Sequence, residues 1–313
     1  MAAKSWGGRE QKPVEEVFFQ NDSVSLCMMI HRRAKTMRVI DFRAGPTQAK
    51  RMFVLSMAQR EGVEKVFTLV ERDEVGTWLK LGFAREGNIP GFYKRSDAFL
   101  LGCSVADARP QSEMRIALGS DDDDLEIEEE SPVDTRAQEL AERTIVTAKK
   151  RAKDLAGKPL PVAKVAPAKE TDARKAVAGA VKNGRALTAF EPFGRDVERR
   201  YYCASARGGY ELYASTESQA CFGNAFLELL SAPKNDAERL CFISSLRAIC
   251  DRIQADGVVS CFALAPSDDV GLATAFAFNG FRRTGLLQNH LQVGNERKDA
   301  IIWSRKLANP TEE

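Results

Sequence analysis

Few residues in this chain carry chemistry by type and spacing. There are two histidines, His31 and His290, too few for a multi-histidine metal site, so no metal is expected. They read as hydrogen-bonded surface residues rather than bases. Seven cysteines, at 27, 103, 203, 221, 241, 250 and 261, form no C-x-x-C pair. Free thiols in a reducing cytoplasm fit that scatter better than a disulfide framework or a zinc site. Cys103 and Cys261 fall in apolar runs and read as inert buried thiols. No Ser-His-Asp arrangement, Walker loop or paired-carboxylate motif stands out.

Charge is concentrated in the middle. Asp121–Glu130 reads DDDDLEIEEE, a block that repels itself and resists packing. A basic stretch follows: Lys149, Lys150, Arg151, Lys153, Lys158, Lys164 and Lys169. It could bind polyanions or a protein partner, or fold back on the acidic block. The simplest reading is a solvated tether.

Something must position the remaining chemistry, and 313 residues suffice for two domains. The chain is 44% hydrophobic and 29% charged, with 46 basic and 44 acidic residues and a net charge of +2. That balance does not mark a nucleic-acid binder. No apolar run approaches the roughly 18–20 residues of a membrane helix, and Met1–Lys12 has no apolar core of secretory type. A cytoplasmic protein without membrane partners is expected.

Composition divides the chain into 12–105, a linker at 106–184, and 185–307. The linker is rich in Ala, Lys and Pro and almost without aromatics; within it Thr135–Leu155 could form a lone charged helix. The first piece reads as strands Val14–Phe19, Val24–Ile30 and Met37–Phe42, helix Pro46–Glu61, strand Val66–Val70, helix Asp73–Leu81, then strands Phe83–Glu86 and Ala98–Val105. Thr47 is placed to cap the first helix and Gly62 to end it. The second piece reads as strands Ala186–Phe190, Arg200–Ala206 and Tyr210–Ser215, an apolar helix Cys221–Leu230 and a long helix Asp236–Ala255. Strand Val258–Ala265, helix Asp268–Phe278 and strands Arg283–Val293 and Asp299–Lys306 complete it.

The two pieces repeat one another beyond element order. Gly62-Val63 with Phe67 parallels Gly257-Val258 with Phe262. Asp73, Val75 and Gly76 parallel Asp268, Val270 and Gly271. Gly82-Phe83, Arg85 and Gly87 parallel Gly280-Phe281, Arg283 and Gly285, and Asp97-Ala98 parallels Asp299-Ala300. The preserved order points to a diverged tandem duplication. Individually the matches read as structural: Asp73 and Asp268 as helix caps, Gly82 and Gly280 as left-handed helix ends, Phe83 and Phe281 as core plugs.

Gly82–Gly102 (GFAREGNIPGFYKRSDAFLLG) and Gly280–Leu307 (GFRRTGLLQNHLQVGNERKDAIIWSRKL) resemble the closing segment of GNAT-superfamily acyl-CoA N-acyltransferases. The resemblance covers about 65–105 and 258–307. It implies an α/β (α+β) fold: two GNAT-like domains, each a central mixed sheet with flanking helices, joined by a charged flexible linker. In that family acyl-CoA lies in a splayed gap between the fourth and fifth strands, its pyrophosphate on a helix N-terminus, where unpaired amides favour an anion. The corresponding residues are Gly45, Thr47, Gln48, Ala49, Lys50 and Arg51 in the first repeat and Ala232–Arg239 in the second, where Asp236 and Glu238 oppose an anion.

The family's Q/R-x-x-G-x-G/A loop is missing from both. The tyrosine that many members place four residues before the G-F glycine is Trp78 or Phe276 here. Tyr93 could replace that acid, and Asp41 could deprotonate the acceptor amine. Each repeat lacks the family's opening strand and helix pair. The resemblance therefore implies transfer from acetyl-CoA or another acyl-CoA to an amine on a small molecule or protein, centred on the first repeat. The alternatives are a catalytically silent tandem with a regulatory or scaffolding role, and a polyanion-binding protein acting through the basic segment.

Overall fold

The computed structural model describes residues 12–20, 25–41, 47–93, 96–106, 135–219 and 222–308. The acidic block at 121–130 lies outside them. The first half supplies strands β1 (Val14–Gln20), β2 (Ser25–His31), β3 (Thr36–Asp41), β4 (Lys65–Val70), β5 (Ala84–Tyr93) and β6 (Ser96–Ser104). Helices α1 (Gln48–Arg60) and α2 (Val75–Lys80) flank β4 in sequence. The second half contains α3 (Thr135–Leu155), β7 (Lys164–Ala168), α4 (Glu170–Lys182), β8 (Glu198–Ala206), β9 (Tyr210–Ser218) and β10 (Asn224–Leu229). It ends with α5 (Asp236–Ala255), β11 (Ser260–Pro266), α6 (Val270–Phe278), β12 (Arg282–Val293) and β13 (Glu296–Lys306).

All thirteen described strands form one sheet, ordered β1-β2-β3-β4-β6-β5-β12-β13-β11-β10-β9-β8-β7. Only β3/β4 and β10/β11 are parallel neighbours. The halves are therefore joined edge to edge, β5 against β12, through the pair Gly87 and Gly285. A Cβ on either glycine would lie 2.6 Å from the other's Cα and 2.7 Å from Ile302 Cδ1. Close backbone approach is why the repeat carries glycine at both places.

Other repeated residues find matching structural work. Gly82 and Gly280 both have φ +78°. At each corner the Phe83 or Phe281 amide donates to the carbonyl of Trp78 or Phe276, at 3.1 and 3.0 Å, a left-handed helix stop. The rings then meet edge to face, Trp78 with Phe83 at 4.7 Å and Phe276 with Phe281 at 5.0 Å. The repeated aspartates steady bulges: Asp97 accepts from the Gly91 amide and Asp299 from the Asn289 amide, at 2.8 and 2.7 Å.

Thr47 caps α1 as the sequence predicts, accepting from the Lys50 amide. The second cap is displaced by one residue: Asp269, not Asp268, accepts from the Leu272 amide, while Asp268 pairs with Lys298. Asp73 lies within a short 3-10 turn, and no side chain caps α2.

Three expectations are corrected. The apolar run after Cys221 is strand β10, not a helix. Buried on both faces between β9 and β11, it has no alternation to reveal its period. Ala186–Phe190 contributes one bridge, Ala186 to Ser231, not a strand. The expected linker is folded over 135–182. Helix α3 matches the predicted 135–155 but is not alone, because its stripe Ala137, Ala141, Ile145 and Ala148 enters the second half's core with Leu272 and Phe276 of α6. Strand β7 pairs with β8, and with α4 it gives the second half an opening strand and helix after all. Small alanines bury without aromatics, so composition alone does not distinguish this region from a tether. The basic residues from Lys149 to Lys169 are exposed on these elements.

Candidate ligand cleft

Each half contains one parallel strand pair that starts together and then parts. In the first, β3 and β4 are in register from Thr36 with Lys65 to Val39 with Thr68, and diverge beyond. Asp41 and Lys50, 3% and 1% exposed, form an ion pair there. The Lys50 ammonium also stands 4.3 Å from the centre of the Trp78 ring. Arg51 is buried and donates to the Leu81 carbonyl at 2.9 Å. Thus the two cations expected at a pyrophosphate are turned into the protein. Gly45 lies outside the described residues, Thr47 spends its hydroxyl on the cap, Gln48 opens α1, and Ala49 is exposed.

Tyr93 ends β5 in an aromatic cluster, 5.2 Å from Phe222 and 5.0 Å from Phe92. Its hydroxyl donates to the Leu69 carbonyl at 3.5 Å, and burial pushes its pKa up to about 12. Tyr93 and Asp41 thus have separate partners.

In the second half, β10 and β11 are in register only from Asn224 with Ser260 to Phe226 with Phe262. Where they part, a cleft of about 100 Å³ opens, with Leu227, Leu229 and Leu264 on its walls. The sheet junction brings the first half's β2–β3 hairpin against it, so His31, Arg33 and Thr36 line it as well. Thr188, Glu191 and Glu228 form its acidic end, and His290 enters from β12.

A buried network fixes the acidic end. Arg199 donates to Glu228 at 2.5 Å, to Glu217 at 2.6 Å and to the Glu191 carbonyl at 2.6 Å. Glu228 also accepts from Ser215 at 3.0 Å and Thr188 at 2.5 Å. Burial works against the Arg199 charge, but Glu228 and Glu217 outweigh it and hold its pKa above the usual value. Glu217 accepts from the Phe193 and Gly194 amides, and Arg38 of the first half donates to the Phe193 carbonyl at 2.6 Å. The Glu191 side chain is less constrained. Burial raises its pKa, with Arg33 opposing.

Both histidines are buried, against expectation, and share this cleft. Burial first, then Arg38 and Arg199, lowers the His31 pKa to about 4. Burial first, then Lys65, His31 and Arg297, lowers that of His290 to about 3. His290 packs edge-on to Phe67 at 4.8 Å. It is aimed by a break in register between Leu287 and Leu291, where Asn289 adopts a left-handed φ of +48°. Cys103 and Cys261 are buried, as predicted.

Sequence reasoning missed Glu191, Arg199 and Glu228. Glu228 alone left a signal, a single charge inside the apolar run Ala225–Leu230. At the start of α5, the N-cap Asn235 accepts from the Glu238 amide and Glu238 from the Lys234 amide, so two donors an anion would use are already answered. Among the described residues no cluster of three or more His, Cys, Asp or Glu could hold a metal, and no helix is long and apolar enough to cross a membrane.

No protein-family model matches the chain, and no curated protein sequence matches it. Solved structures similar to it include the ribosomal-protein-S18-alanine N-acetyltransferase from Escherichia coli, at 17% identity and a TM-score of 0.36, over 48% of this chain and 97% of that one. Another is the spermidine N-acetyltransferase from Vibrio cholerae in complex with CoA and spermine, at 10% identity and a TM-score of 0.37, over 46% of this chain and 95% of that one.

Proposed function

We propose that the protein transfers an acyl group from acetyl-CoA or another acyl-CoA to an amine, in the second half. The observation that carries this reading is the divergence of parallel β10 and β11 directly beside a carboxylate-bearing cleft. In the second half these are the fourth and fifth strands from β7, where the family resemblance implies a thioester gap. Backbone amides freed by the divergence would polarise the thioester carbonyl. The amine nitrogen would attack that carbon, the carbon–sulfur bond would break, and the thiolate would leave. Glu191, made more basic by burial, is suited to take the amine proton. Phe276 supplies no hydroxyl for the thiolate, so its proton would come from solvent.

A second reading, a silent tandem serving a partner, is favoured by one feature: the α5 start is capped by its own Asn235 and Glu238. Calorimetric titration with acetyl-CoA, longer acyl-CoAs and CoA separates the two. Saturable binding, with amine-dependent thiol release that falls at least tenfold in Glu191→Gln, supports transfer. Absence of binding by all three ligands removes the enzyme reading and leaves the silent one.

A further inference from the structure

The cleft has a second end that acyl transfer does not use. His31 Nε2 and His290 Nδ1 are buried ring nitrogens without a hydrogen-bond partner among the described residues. Both rings line the cleft. The two residues come from different halves and meet only because the sheet is continuous. A left-handed Asn289, held by Asp299 and by Arg297 donating to its carbonyl at 2.7 Å, maintains the bulge that delivers His290. Orphaned buried donors or acceptors are costly, and they mark a place where a ligand can supply the missing bond.

The charges nearby select the ligand. Arg38 and Arg199 act on His31, and Lys65 and Arg297 on His290, all of them cationic. Most of these cations are paired with carboxylates, Lys65 with Glu86, Arg297 with Glu64 and Arg199 with Glu217 and Glu228, which leaves Arg33 and Glu191 as the charged lining groups without an ion pair among the described residues. Arg33 completes the wall. It donates only long bonds, 3.4 Å to the Ala186 carbonyl and 3.3 Å to the Gln292 carbonyl, weak enough to be exchanged for a better acceptor.

We propose that this end of the cleft binds the carboxylate of a small ligand, held by ring N–H groups of His31 and His290 and by Arg33. Glu191, whose carboxylate lies within reach of the Arg33 charge, competes with the ligand for that cation. The inference rests on the cleft alone and not on acyl transfer, so failure to bind acyl-CoA would leave it standing.

Only two histidines exist, so imidazole nitrogen resonances of the full chain report the site without any assay of activity. Malonate, inorganic phosphate and ethylammonium would each be titrated at neutral pH. The expected result is saturable movement of both imidazole signals by malonate, weakened at least tenfold in Arg33→Gln. Glu191→Gln gives an independent sign: loss of a neighbouring carboxylate should tighten malonate. Movement by ethylammonium or phosphate without malonate, unchanged malonate affinity in a folded Arg33→Gln, weaker malonate binding in Glu191→Gln, or no movement at all would each overturn the proposal.

Discussion

The first and second halves share a plan and differ at the same place. Where β3 and β4 part, Asp41 and Lys50 close the opening with a buried ion pair beside Trp78. Where β10 and β11 part, the opening stays a cleft, and the equivalent of Trp78 is Phe276, stacked 5.5 Å from Trp303. The bulges diverge in the same sense: after Gly91 the first half places Phe92, and after Asn289 the second places His290. The first half lends His31 and Arg33 to the second half's cleft. Two halves of like plan keep the same corners and glycines because the backbone demands them, while the residues filling the gap are free to differ.

The sharpest way to break that comparison is Lys50→Met. It leaves the buried Asp41 carboxylate without its ammonium and should cost about 3–5 kcal/mol in denaturant unfolding. The double change with Asp41→Asn should recover much of the loss, and the imidazole signals of the second half's cleft should not move in either variant at native conditions. Next is Gly285→Val. A side chain at the junction has a backbone atom within 2.6 Å, so a loss of about 3 kcal/mol or more is expected. Gly87→Val should match it, since both enter one crossing. Unequal effects would show that the junction is not shared evenly.

Acid should act on the cleft through its histidines. Their folded pKa values, about 4 and about 3, lie below the usual 6.5, so the unfolded chain binds more protons between those values. Stability is complete above about pH 6.5 and is lost as pH falls toward 4, by about 2 kcal/mol per histidine at pH 5. Replacing both by asparagine should flatten that slope. The smallest effect concerns the helix after the fifth strand from β7: Asp269→Ala removes the α6 cap and should cost about 1 kcal/mol. Asp73→Ala, in a turn whose helix has no side-chain cap, should cost less.

Local signals carried far in this chain. Thr47, Gly62, Gly82, Gly280 and the helices ending in G-F announce their own geometry, because caps and left-handed corners depend on a few adjacent residues. The repeat also told where the two halves would look alike. Helix α3 is legible as a helix but its packing is not, since the role of its alanine stripe emerges only once α6 lies against it. The candidate site was least legible: Glu191, Arg199 and Glu228 are scattered over 38 positions, and no spacing rule links them.

The sequence by itself determined most elements, their stops and the parallels between the two halves, because backbone preference and side-chain period act over a handful of residues. Tertiary structure alone decided that the halves share one sheet, that Lys50 and Arg51 turn inward, and that two distant histidines line one cleft. Those outcomes depend on which buried charges find partners and how closely Gly87 and Gly285 approach. Such facts are set by contacts between residues far apart in the chain.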